Sequence, residues 1–257
     1  MGKRKEVDPI EQSITVKYRN KLFSKFVGAI DNYKLIQPGD KICVCISGGK
    51  DSMLMARLFM QLKKTELFGK DYEVKYLVMT PGYSEANLKL IKENIEKLNI
   101  PATIEETDIF EIANAQTRSP CFLCAKMRRG ALYNIAKKMG CNKIALGHHK
   151  DDMVETLLMN LIYEGTFATN PPLLQMDKMP LQLIRPLCLI EERELARYAE
   201  LSHYAPQRKQ CPFEHDSSRA QVKALLSQLE TLNPNVRDSF WGATHNVKKD
   251  YLPKTKN

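Results

Sequence analysis

Residues 42–52 read Ile-Cys-Val-Cys-Ile-Ser-Gly-Gly-Lys-Asp-Ser, and the fold class follows from this stretch. Ile42, Val44 and Ile46 are interleaved with the small thiols Cys43 and Cys45, the pattern of a short strand buried on both faces of a parallel sheet. The strand gives way to Ser47, Gly48, Gly49, Lys50, Asp51 and Ser52, and an apolar run from Met53 to Leu62 follows at helical spacing. Strand, glycine-rich turn and helix together make a phosphate cradle. Glycines let backbone N–H groups face an anion, and the helix N-terminus adds unpaired donors and its dipole. Lys50 adds a full positive charge. Asp51 alone would repel phosphate, so its presence calls for a Mg²⁺ ion between carboxylate and phosphates. The Ser47 and Ser52 hydroxyls are further donors for phosphate oxygens.

The Gly-x4-Gly-Lys-Ser/Thr spacing of the Walker loop is absent. Ser-Gly-Gly-Lys-Asp-Ser instead resembles the PP-loop of the ATP pyrophosphatases. That resemblance implies cleavage of ATP between the α and β phosphates and adenylation of a substrate. A plain Gly-Gly turn is the competing reading; the six-residue string in its strand–helix setting weighs against it.

At 257 residues the chain can bury a sizeable core, and 43% hydrophobic with 27% charged residues is the balance of a soluble globular protein. No apolar run reaches membrane-spanning length. Met-Gly-Lys-Arg-Lys-Glu at the start is followed by no apolar stretch, so it does not read as a signal peptide, and a cytoplasmic location is expected. A net charge of +9 favours a polyanionic partner, nucleic acid over membrane, although a basic enzyme would show the same number. Seven cysteines in a reducing compartment argue against a disulfide framework. Cys43, Cys45, Cys141 and Cys188 have apolar surroundings and read as small buried hydrophobes.

Three regions are expected: a basic helical preface over residues 1–38, an α/β domain over 39–201, and a carboxy-terminal segment over 202–257. In the preface, Lys17, Arg19, Lys21 and Lys25 are interspersed among helically spaced apolar residues. They are equally readable as a solvated face on a packing helix or as RNA contacts. Strands are expected at Glu73 to Met79, Pro101 to Glu106, Lys143 to Gly147 and Leu181 to Leu187, with helices between them. Alternating strands and helices argue for a doubly wound, mostly parallel sheet. Ligands of such sheets bind beyond the carboxyl ends of the strands. The end of the second strand at Met79, with Thr80-Pro81-Gly82-Tyr83 after it, is therefore expected near the nucleotide. So is Gly147-His148-His149-Lys150-Asp151-Asp152 after the fourth strand, where His148 and Asp151 are the further candidates. Helix capping by Asp151 or Asp152 competes with that role. Arg185 reads either as a phosphate-side cation or as part of a surface ion pair.

Cys121-Phe-Leu-Cys124 sits at an expected helix start, where two thiols three apart point the same way and can chelate one metal centre. A redox disulfide competes. A structural zinc site usually takes four ligands, and no second Cys-x-x-Cys is present. Arg128 and Arg129 are candidate phosphate contacts or plain surface charge.

Several stretches in order resemble one family: Ser-Gly-Gly-Lys-Asp-Ser, Cys121-Phe-Leu-Cys124 with Arg128-Arg129-Gly, Ala145-Leu-Gly-His-His-Lys-Asp-Asp152, Ile184-Arg-Pro-Leu187 and a late Cys211. The likeness is to the tRNA 2-thiocytidine synthetases among the PP-loop enzymes, and it spans nearly the whole chain. The resemblance implies a 4Fe-4S cluster held by Cys121, Cys124 and Cys211, with one iron left without a protein ligand to bind and deliver sulfide. It implies ATP-Mg²⁺ held by the loop, with Lys50 neutralising phosphate charge and Asp51 holding the metal. The C2 oxygen of a cytidine at tRNA position 32 would be adenylated and then replaced by sulfur. It further implies tRNA affinity through basic residues including Arg128 and Arg129, a sulfur donor such as a cysteine desulfurase or free sulfide, and a homodimer. Two places depart from the family pattern. Glu214 stands where a further cysteine is often found, so Glu214 or His215 could close the fourth iron site. Thr80-Pro81-Gly82-Tyr83-Ser84 also differs, which bears on the substrate rather than on ATP use. The competing functions are a PP-loop ligase with a zinc or structural cysteine site, and an RNA-binding protein with a vestigial nucleotide site.

Overall fold

The computed structural model describes residues 12–115, 120–176, 179–202, 205 and 218–253. Two compact units emerge, one of Met1–His149 with Pro171–Cys211, the other of Lys150–Asn170 with Pro212–Asn257.

The first unit is built on a six-stranded sheet. In chain order its elements are α1 (Phe23–Asn32), β1 (Asp40–Ile46), α2 (Lys50–Thr65), β2 (Tyr72–Thr80), α3 (Glu85–Lys97), β3 (Ala102–Glu106), α4 (Ile109–Asn114), α5 (Pro120–Lys138) and β4 (Lys143–Ala145). After the excursion into the second unit come β5 (Leu173–Gln175), β6 (Gln182–Ile184) and α7 (Glu192–Leu201). The strand order is β3-β2-β1-β4-β6-β5, parallel except for the β5–β6 pair. The doubly wound, mostly parallel sheet expected from the sequence is present. β5 is the strand that the sequence reading lacked. It is three residues long, follows Pro171-Pro172, and has no alternation to betray it. The strand expected to run from Leu181 to Leu187 hydrogen-bonds as a strand only over Gln182–Ile184.

The two-residue period of β1 explains how one strand serves two cores. Ile42, Val44 and Ile46 face a layer that includes Phe26 of α1, Met53, Leu58 and Phe59 of α2, Ile91 of α3 and Leu195 of α7. Cys43 and Cys45 face the opposite layer, with Leu77, Ile144, and Tyr133 and Ala136 of α5. Phe26 and Phe59 meet edge to face at 5.2 Å, a favoured aromatic geometry. At the amino end of the sheet, Lys143 is buried and bridges Asp40 at 2.7 Å while donating to the Leu35 carbonyl at 3.0 Å. Asp40 also accepts from the Gln37 and Asn142 nitrogens.

The preface is a π-helical turn at Ser13–Lys17 followed by α1, which buries Phe23, Phe26 and Ile30. Two of its lysines are tied to α7, Lys21 to Glu194 at 2.9 Å and Lys25 to Glu191 at 3.3 Å. For these two, the packing-helix reading of the basic face is the one observed.

The second unit is helical: α6 (Lys150–Met159), a π-helical turn at Asn160–Glu164, α8 (Ser218–Leu232) and α9 (Val236–Ala243). Val154 and Leu158 pack on Val222 and Leu226, with the tail aromatics Phe240 and Trp241 against them. No helix among the described residues is long and apolar enough to cross a membrane.

Candidate active site

The chain order places β2 on one side of β1 and β4 on the other, so the sheet reverses direction of winding between β1 and β4. Crevices at such switch points are where open α/β sheets bind ligands. The loop from β1 carries Ser47, Gly48 and Gly49, and α2 begins at Lys50. Gly48 has φ +86°, a conformation that side chains with a Cβ rarely adopt. The loop is stitched from within. The Ser52 hydroxyl donates to the Gly49 carbonyl at 2.9 Å and accepts from the Ser47 amide at 3.1 Å. Its oxygen also lies 3.2 Å from the Ser47 hydroxyl. Ser52 is buried and shapes the loop, whereas Ser47 is exposed and open to a ligand. Lys50 stands between two carboxylates, 3.2 Å from Asp51 and 3.8 Å from Glu192 in the first turn of α7. All three are partly exposed, so the cation is held at the mouth of the loop and ready to exchange partners with an anion.

From the other side of the switch point, Gly147 abuts the start of α2. A Cβ built on Gly147 would lie 3.2 Å from both Cα and N of Ser52 and 3.5 Å from the carbonyl carbon of Asp51. A side chain is disfavoured here because two backbones touch. His148 is half-buried, and His149 forms a parallel bridge with Leu187 that prolongs the sheet past β4. Met79 is buried in the body of β2, whose last residue is Thr80.

Beyond β2, Tyr83 links the phosphate loop to α4, within electrostatic reach of the cysteine helix α5. Its phenol donates to the Ser47 carbonyl at 3.3 Å, and its ring meets Phe110 edge to face at 5.8 Å. Burial raises the Tyr83 pKa above the usual phenol value. The Arg128 cation pulls it back and the Cys124 thiol adds to the rise, so both side chains of α5 are within electrostatic reach of this phenol. Phosphate loop, Tyr83, Cys124 and Arg128 thus form one neighbourhood. Arg128 is half-buried, while Arg129 is exposed. Cys124 is half-buried. The backbone of Cys121 lies in the first turn of α5; its side chain, and Cys211, Glu214 and His215 entirely, are outside the described residues. Among the described residues no cluster of three or more metal-ligating groups forms. Cys43, Cys45, Cys141 and Cys188 are buried as expected. Cys141 is held as a thiol by its hydrogen bond with Cys43 and by burial, and burial pushes Cys188 up to about 12. Arg185 is also buried and donates to the Pro171 carbonyl at 2.6 Å, so it is no surface residue.

In the second unit, the charged start of α6 is fully engaged by α8 and α9. Lys150 pairs with Asp238, and Asp151 with Arg237 at 2.9 Å. Arg237 also holds Glu230 at 2.6 Å. Arg219 holds Glu155 at 2.9 Å and Asp152 at 3.5 Å. Burial raises the Glu155 pKa despite the opposing arginine, because Glu155 is almost wholly enclosed and Arg219 is not.

The PP-loop domain family matches residues 18–225. A tRNA-cytidine(32) 2-sulfurtransferase of Paraburkholderia phymatum is 37% identical over 91% of this chain and 71% of its own length. The enzyme of that name from Syntrophotalea carbinolica is 37% identical over 87% of this chain and 88% of its own. The chain belongs to this PP-loop family of tRNA-cytidine(32) 2-sulfurtransferases. Among solved structures, the U34-tRNA thiolase NcsA of Methanococcus maripaludis with its 4Fe-4S cluster superposes with a TM-score of 0.69 at 21% identity, covering 90% of this chain and 79% of that one. At that identity the likeness is one of fold. One contributor to this family member's site went unnoticed in the sequence, and another was named only as part of a loop. Glu192 faces Lys50 from a helix far along the chain, and nothing local marks it. Tyr83 lies in the loop after β2 that was expected near the nucleotide, but its own bond to the phosphate loop was not foreseen.

Proposed function

We propose that this protein is a cytoplasmic tRNA thiolase that replaces the C2 oxygen of a cytidine, at position 32, with sulfur. The observation that carries the reading is the PP-loop at the β1/β4 switch point of a chain whose curated relatives bear that enzyme's name. ATP is bound by Ser47, Gly48, Gly49, Lys50 and Ser52, with Met79, Gly147 and His148 as further nucleotide contacts; Asp151, the remaining candidate, is paired with Arg237 within the second unit. Lys50 neutralises phosphate charge, and the anion competes with Asp51 and Glu192 for it. The half-buried Asp51 carboxylate at a helix start suits a hard cation, and Mg²⁺ bound there would offset charge on the phosphates. The C2 carbonyl oxygen attacks the α-phosphorus, and pyrophosphate leaves. Sulfide then adds at C2, and AMP departs with the original oxygen.

Cys121, Cys124 and Cys211 are the proposed ligands of a 4Fe-4S cluster. Thiolates are the donors such clusters take, and the Cys124 thiol is within electrostatic reach of the Tyr83 phenol that touches the phosphate loop. When bound, the cluster would supply sulfide at an iron with no protein ligand. Arg128 and Arg129 are proposed RNA contacts, Tyr83 ties the loop to α4, and the active species is a homodimer supplied by a cysteine desulfurase or by free sulfide.

The test uses protein purified without oxygen, with unmodified tRNA, ATP, Mg²⁺ and sulfide. Mass spectrometry of the digested tRNA is expected to show 2-thiocytidine, with AMP formed in step. Lys50→Ala is expected to abolish both products, and Cys124→Ala to lose iron, labile sulfide and thiolation together. AMP formation with zinc and no thiolated base would replace this reading with an adenylating ligase.

A further inference from the structure

α5 is a 19-residue helix with five cations, Lys126, Arg128, Arg129, Lys137 and Lys138, and no carboxylate. By contrast, two lysines of the preface are paired with carboxylates, Lys21 with Glu194 and Lys25 with Glu191. Among the described residues, none of the five α5 cations is paired with an acid. Near its start the helix also exposes Phe122, at 66% one of the most exposed large apolar side chains of the protein. Phe122, Lys126 and Arg129 follow at i, i+4 and i+7, so they share one face, and all three are exposed. At 1.5 Å rise per residue, Lys126 and Arg129 stand about 6 and 10 Å along the axis from the ring. Arg129 Nε donates to the Ala125 carbonyl at 3.3 Å, which lays the guanidinium back along the same face. Arg128, one residue away, is half-buried and within electrostatic reach of Tyr83.

An aromatic ring left in water beside two unneutralised cations fits a partner that offers both a flat π-surface and negative charge. Single-stranded RNA offers them together: an unpaired base stacks on the ring while adjacent phosphates meet the cations. A lipid surface would want several apolar side chains on this face, and Phe122 stands alone on it among cations. We propose that Phe122, Lys126 and Arg129 form the docking face for the unpaired loop of the substrate RNA, with Phe122 as a base-stacking platform. This deepens the tRNA reading above and rests on it. Phe122 lies between Cys121 and Cys124, so the stacked base is delivered next to the residues proposed to handle sulfur.

The test is equilibrium binding of the full chain to two labelled RNAs, an anticodon-type stem-loop and a blunt duplex of equal length, read by fluorescence anisotropy across a salt series. Loss of one stacking contact is worth about 5- to 150-fold in affinity. Phe122→Ala is therefore expected to weaken stem-loop binding by that factor and leave duplex binding and salt dependence unchanged, and Phe122→Trp to restore it. Lys126→Ala and Arg129→Ala are each expected to weaken both RNAs and to lower the slope of log affinity against log salt by about 0.7–0.9. ATP affinity and near-ultraviolet circular dichroism check that each variant is folded. Wild-type stem-loop affinity in Phe122→Ala overturns the platform even if the wild type binds RNA well. An unchanged RNA affinity with an altered oligomeric mass would make the face a protein interface and overturn it equally. Failure of the wild type to bind either RNA would remove the tRNA reading itself.

Discussion

Replacing Gly147 by alanine probes the contact on which the nucleotide crevice is built. The added methyl would sit 3.2 Å from Cα and N of Ser52, against about 3.5–4.0 Å for an unstrained carbon contact. Both obstacles are backbone atoms, so no rotamer change relieves the clash, and β4 or the start of α2 must retreat by a few tenths of an ångström. Overpacking of this kind costs about 1–3 kcal/mol of stability. The retreat also moves the Ser52 amide and Asp51, at the helix end that faces the phosphates. If a 1 Å misplacement costs about 10²-fold, a few tenths cost about 4- to 10-fold in ATP-dependent turnover. Gly130→Ala in α5 is the control, because its Cβ would meet nothing within 4 Å. Helix propensity predicts that it stabilises by about 0.5–1 kcal/mol. Urea denaturation gives the stabilities, and pyrophosphate release with varied ATP gives the functional cost. A Gly147→Ala protein with wild-type stability and wild-type turnover would refute the close-contact argument.

Asp40→Ala strands the buried Lys143 ammonium and is expected to cost about 3–5 kcal/mol, much of it recovered in an Asp40→Leu/Lys143→Met double variant; the comparison of urea midpoints decides. Tyr83→Phe removes one hydrogen bond to the Ser47 carbonyl, so calorimetry is expected to show ATP binding weakened by about 2- to 12-fold with secondary structure intact, and unchanged affinity would separate Tyr83 from the loop. Glu155 has its pKa raised in the folded state, so the native protein binds its proton more tightly than the unfolded chain. Its stabilising effect is full below the unfolded value near 4.5 and is lost as pH rises through the folded value. Glu155→Gln is therefore expected to flatten that loss in stability measured from about pH 4.5 to 7, and an identical pH profile would show that burial does not govern this carboxyl.

Local signals in the sequence sufficed for the parts of the fold that depend on neighbours along the chain. The alternation in β1, the glycines of the phosphate loop and the helical run after it required no distant partner to be understood. The same holds for the buried cysteines, whose apolar neighbours announce them. β5 escaped because three residues are too few to display a period, and its pairing with β6 is tertiary. Glu192 escaped for a related reason: it meets Lys50 only after the sheet has closed. Asp151 was legible as a charged residue at a strand exit. Its pairing with Arg237, 86 residues later, was not, since α9 carries no motif. Phe122 was visible as a residue between two cysteines, but only its exposure distinguishes it from a core aromatic.

The depth at which the thiols sit turns the chain into its own unfolding clock. Cys43 and Cys188 are sealed in the interior, and Cys45 and Cys141 nearly so, while Cys124 is within reach of solvent. Of these five, an alkylating reagent applied to the native, cluster-free protein will mark Cys124 first, Cys43 and Cys45 only when β1 parts from its neighbours, and Cys141 and Cys188 only when the segments next to β4 and β6 open. The mass added over time then measures how often the sheet opens, strand by strand, in undiluted buffer and at working temperature. Because Cys43 and Cys45 lie on the strand that ends in the phosphate loop, slower labelling of those two with ATP present would convert nucleotide binding directly into the opening rate of β1.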